Sequence, residues 1–153
     1  MKNYLSVLHE YADGDFSEPG VMKKPSLDLQ RKAINVLVQK REAKQAQEIR
    51  TGTGQKLSTT DLNFETDQFS GIVFFSAESL RTKNRDIDLM LFKSLYEEFA
   101  EIFIIVESIS IENEQEYLSV SKRFIALNYC TQRDASDEWK DLVSQVTIGG
   151  KNQ

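Results

Sequence analysis

Residues 26–50 constrain the fold more than any other stretch, because they read as one long helix. Ser26 is a good N-cap after Pro25, Asp28 suits the first turn, and Gly52 is a natural stop. The first half carries an apolar stripe of Leu27, Ile34, Leu37 and Val38. The second half, KREAKQAQEIR, is rich in strong helix formers and poor in large apolar side chains. A half-helix of that kind either projects from the body or packs only through Ala43, Ala46 and Ile49.

The same region is electrically distinct. Between Lys23 and Lys56, nine basic residues face only Asp28, Glu42 and Glu48, a net +6 in a chain whose total is −5. The remainder therefore carries −11, and a basic arm on an acidic body is expected. Lys32, Lys40, Arg41, Lys44 and Arg50 are the candidate residues for holding a partner or a nucleic acid. They do not fall on one stripe, and no aromatic residue is interleaved among them for base stacking.

The rest of the chain alternates short helical and strand-like segments. Tyr4, Val7, Leu8 and Tyr11 repeat at helical spacing and predict a helix over 3–13, with His9 facing solvent. Residues 13–25 form a connector and 51–60 a loop, with Gly and Pro as punctuation. Strands are expected at 61–66, 72–75, 102–111 and 117–129, with a helix as the alternative for the last. Helices are expected at 84–100, capped by Asn84, and from Ser136 to Val146. The first of these is apolar on two faces, which suggests a central position or a subunit contact.

The implied architecture is α+β, with antiparallel β-hairpins packed on helices in the order α-α-ββ-α-ββ-α. A chain of 153 residues is one domain: an N-terminal helix and connector at 1–25, the long helix at 26–50 and the body at 57–148.

Several chemistries are disfavoured by residue type. One cysteine, Cys130, allows no intramolecular disulfide, suits a cytoplasmic setting and reads as a half-buried residue at a strand end. One histidine leaves no Ser-His-Asp or Cys-His constellation and no structural zinc site to argue for. No apolar run approaches a membrane span, and no cofactor is expected.

The string IVFFSAESLRTKNRDIDLML at 72–91 resembles the nucleotidyltransferase family. The resemblance implies Ser76 as the family serine, Asp86 and Asp88 as Mg²⁺ ligands and Glu107 as a third carboxylate. Phe75 stands where the family has a glycine, and Asp86 and Asp88 also read as first-turn residues of an amphipathic helix.

Three functions follow. The leading expectation is a non-enzymatic, self-associating interaction protein: an adaptor, chaperone or assembly component binding another protein. Nucleic-acid binding through 23–56 is the alternative, and a degenerate Mg²⁺-dependent nucleotidyltransferase the third.

Overall fold

The computed structural model describes residues 2–11, 25–52 and 68–133. In chain order these form β1 (Lys2–Glu10), α1 (Leu27–Lys40), β2 (Ala43–Gly52), β3 (Gly71–Phe74), a 3₁₀ turn (Ala77–Leu80), α2 (Leu89–Glu98), β4 (Glu101–Ile104), β5 (Ile109–Ile111) and α3 (Glu114–Arg133). The expected strand at 61–66 and helix at 136–146 lie outside the described residues.

The strands make one five-stranded sheet in the order β2-β1-β3-β4-β5. All neighbours are parallel except the β4–β5 hairpin. Helix and sheet are both present, but the antiparallel-hairpin arrangement and its α-α-ββ-α-ββ-α order are overturned. The chain begins with a strand, and the sheet is mostly parallel with helices on both faces. On one face α1 covers Tyr4, Leu8, Val73 and Phe103 through Ile34 and Val38. On the other, α2 and α3 cover Leu5, Val7, Phe74, Ile102 and Ile104 through Phe92, Leu95 and Phe124.

Burial on both faces explains the misread N-terminus. Residues 4–8 are all fully buried, so β1 lacks the alternation of a one-sided strand. Its apolar residues then mimic helical spacing. His9, expected on a helix surface, is buried at the end of this strand.

The long helix divides at Arg41–Glu42. Glu42 adopts φ 52°, the left-handed conformation usually given to a glycine after a helix, and so no glycine marks the stop. Beyond it, the helix-forming sequence AKQAQEIRTG becomes β2, the outermost described strand on its side. Pairing with β1 along its whole length outweighs the weak local preference.

Further along, 84–100 is helical only from Leu89, and Asp88 rather than Asn84 is its cap. Both of its apolar faces are largely used within the chain: Leu91, Leu95 and Phe99 are buried in the core, while Phe92 packs edge-on against Phe124 and Tyr96 stacks on Tyr117 with ring centroids 4.1 Å apart. Met90 alone on those faces is left exposed. The strand expected over 102–111 is a hairpin broken at Ile105–Ser108. Residues 117–129 take the helical alternative, inside α3, which places Cys130 on a helix and not at a strand end. Asn113 caps α3 by accepting from Glu116 N at 2.9 Å, while Glu116 accepts from Glu112 N at 3.1 Å.

Candidate functional site

In open parallel sheets, ligands settle outside the carboxyl ends of the strands, where successive connections diverge. Here the chain leaves β1 for β2 on one side of the sheet, while β3 and β4 lie on the other. At that edge a cleft of about 470 Å³ opens between Tyr11 after β1, Ser76–Glu78 after β3 and Val106–Glu107 after β4. Ile87, Ile109 and Phe124 give it an apolar floor, and Arg81, Arg85 and Arg123 bring three guanidinium groups to it.

A rigid loop presents two of those arginines. Thr82 N donates to Asp86 O at 2.7 Å, Asp88 N to Leu80 O at 2.8 Å, and Arg85 sits at φ 71°. A non-glycine residue in that region persists only where its surroundings hold it. Asn128 of α3 does so, its amide bonding both Ile87 N (2.6 Å) and Ile87 O (2.8 Å). Glu78 spans the pair, meeting Arg81 Nε at 3.1 Å and Arg85 Nη2 at 2.8 Å.

Glu107 is the second carboxylate. It accepts from Ala77 N at 2.8 and 3.2 Å. Burial pushes its carboxyl above the usual range, and the nearby Glu78 adds to this against the bonds from Ala77 and Ser76 and the charge of Arg81. Ser76 also accepts from Glu78 N at 3.1 Å, capping the 3₁₀ turn.

Behind the cleft lies a buried polar chain. His9 Nδ1 is 2.9 Å from Thr51 Oγ1, which is 2.7 Å from Ser79 Oγ and donates to Leu8 O at 3.3 Å. It ties the carboxyl ends of β1 and β2 to the 3₁₀ turn.

The residues singled out from the sequence do not converge. Lys32 and Lys40 are exposed on α1, and Lys44 is exposed on β2. Arg41 lies over the Phe103 ring, 4.6 Å from its centroid, and pairs with Glu112. Arg50 pairs with Glu48 at 3.3 Å and Glu10 at 3.7 Å. The described part of the basic segment, residues 25–52, is thus no projecting arm but a helix and a strand docked on the body.

Asp86 and Asp88 hold different posts. Asp88 accepts from Leu91 N at 3.0 Å as the helix cap, and neither residue lines the cleft. No group of three or more His, Cys, Asp or Glu side chains among the described residues is placed to hold a metal ion. Of the four residues the resemblance implied, only Ser76 and Glu107 meet in the cleft. What sequence reasoning missed was Arg81 and Arg85. The signal was present: basic residues cluster shortly after the strand at 72–75, in SLRTKNRD.

No family model matches the sequence, and no curated protein is significantly similar to it. Among solved structures, the N-terminal catalytic domain of TP901-1 integrase superposes with a TM-score of 0.57 at 15% identity, over 84% of this chain and 97% of that one. The chain shares its fold with that domain. At that identity the likeness establishes architecture, not activity. No helix among the described residues is long and apolar enough to cross a membrane.

Proposed function

We propose that this chain is a nucleic-acid-associated protein that holds a phosphodiester in the cleft at the carboxyl edge of its sheet, and that it binds without cutting. The observation that carries this reading is the convergence of Arg81, Arg85 and Arg123 on that cleft. Planar guanidinium groups match phosphate oxygens in pairs, and phosphate contacts supply most sequence-independent affinity. The shared fold with an integrase catalytic domain favours the same class of partner. Binding is favoured over cutting because Ser76, the hydroxyl beside Glu107, is engaged as a cap. Lys32, Lys40 and Lys44 contribute at most a diffuse field.

Fluorescence anisotropy with labelled single- and double-stranded oligonucleotides at about 50 mM salt tests this. The Arg85→Ala/Arg123→Ala double variant should bind at least about tenfold more weakly, with a shallower salt dependence. Lys40→Ala/Lys44→Ala should change affinity less than threefold or so. Equal losses in the two variants, or no binding by the parent chain, would overturn the reading. Nicking of supercoiled plasmid would overturn the part that denies cutting.

Self-association is the second reading, and one observation favours it. Leu118, Ile125 and Tyr129, at heptad-like spacing on the outer side of α3, are 50%, 53% and 36% exposed. Sedimentation equilibrium giving a monomer at high protein concentration would remove it.

A further inference from the structure

We propose that the Glu107 carboxylate occupies the place in the cleft that a phosphate would take, and so holds down the affinity of the site for polyanions until it is displaced or neutralised. This rests on the phosphodiester reading and adds its regulation.

The turn that carries Glu107 is built to aim it inward. Ile105 N and Val106 N donate to Phe74 O (3.0 Å) and Phe75 O (2.9 Å), which fasten the turn to the end of β3. Ser108 closes it with φ 56° and a bond from its N to Ile105 O at 3.0 Å. Val106 is thereby left 56% exposed, while Glu107 is turned over Ala77 with both oxygens on one N–H.

Every other charge at the cleft shows the consequence. Glu78 already holds Arg81 and Arg85. Arg123 from α3, Arg81 and Arg85 from the loop, Glu78 from the 3₁₀ turn and Tyr11 from the end of β1 are the titratable and charged groups around Glu107 in the cleft. Three positive groups thus face two resident carboxylates, and of these Glu107 has no direct ion pair among the described residues. A phosphodiester carries the same single charge and the same paired oxygens, so it can exchange with Glu107 without altering the local balance. Burial, which pushes the Glu107 carboxyl upward, makes loss of its charge easier than for an exposed glutamate. Neutral Glu107 no longer repels the incoming anion, so affinity should rise as pH falls.

The test compares the full chain with Glu107→Gln, which keeps an oxygen for Ala77 N, and with Arg85→Ala/Arg123→Ala. Anisotropy titrations with one labelled oligonucleotide run at about pH 5.5 and about pH 7.5. The parent chain should bind more tightly at the lower pH. Glu107→Gln should bind about tenfold more tightly than the parent at the higher pH, with a flattened pH response. If it binds as the parent does at both values while the arginine variant loses binding, this inference fails and the phosphodiester reading stands. If neither the parent nor Glu107→Gln binds, both fail. Should Glu107→Gln not melt cooperatively, the parent's own profile decides, and equal affinity at the two pH values overturns the proposal.

Discussion

A methyl group added at Gly71 would lie 2.7 Å from the Glu101 carbonyl oxygen, 2.9 Å from Glu101 Cβ and 3.1 Å from the Tyr4 ring. Two of those atoms belong to the neighbouring strand and to a buried carboxylate, and neither can swing aside. Glu101 is fixed by Lys2 Nζ and Tyr4 OH, each at 3.2 Å. Burial first, and then the Glu101 charge, pushes the Tyr4 hydroxyl up to about 12. Gly71→Ala must therefore part β3 from β4, and it should cost about 2–3 kcal/mol in urea denaturation. A loss below about 0.5 kcal/mol would contradict the close approach. At this scale the sequence was partly legible. The strand at Ile72–Phe74 was read for what it is, whereas Phe75 was placed in it, Asp88 was taken for a first-turn residue instead of the cap, and a glycine needed for strand spacing looks like any other. Likewise nothing local announced that Glu42, Arg85 and Ser108 take left-handed backbone.

Between elements, α1 and β2 are joined by a charged clasp. Arg31 forks onto Glu48 at 2.8 and 3.0 Å, and also meets Asp28 at 3.0 Å. Hydrogen bonding from Arg31, with help from Arg50, holds the Glu48 carboxyl below the usual range. A carboxyl depressed on folding stabilises the fold above its unfolded pKa and loses that contribution as pH falls through the folded value. Arg31→Ala should thus cost about 1 kcal/mol near neutrality and almost nothing in strong acid, measured as melting temperature against pH. An equal penalty across the range would assign the loss to packing instead. A single helix over 26–50 was nonetheless the natural reading. Helix formers, charges and the absence of a glycine all agreed, and only a partner strand distant in sequence overrode them. For α3 the capping spacing of Asn113 and Glu116 was present in the sequence, yet 117–129 was read first as a strand and a helix only as the alternative.

For the molecule as a whole, parallel pairing is the property that the sequence conceals. It joins segments far apart in the chain, and burial on both sheet faces erases the alternation that marks a strand. The charge asymmetry was real, yet part of its meaning is internal: Arg31, Arg41 and Arg50 answer Glu48, Glu112 and Glu10 across element boundaries. The cleft arises from three carboxyl ends meeting at one edge, and no short motif records such a meeting. One further joint has a use in measurement. On its β3 side the pairing ends with Phe74 opposite Val7, so beyond it β1 keeps only β2 as a strand neighbour, and Gln30 of α1 takes over at His9. Its amide accepts from His9 N at 2.9 Å and donates to His9 O at 2.8 Å. The His9 amide proton is therefore held by a helix side chain, not by a strand. In native-state hydrogen exchange it should be released together with the α1 amides when that helix lifts, earlier than Val73 or Phe74 in the sheet. Gln30→Leu should speed its exchange about tenfold or more and leave those two nearly unchanged. Uniform acceleration of all three would mean that the helix and sheet open as one unit. A single backbone proton thus serves as a clock for the undocking of one whole layer.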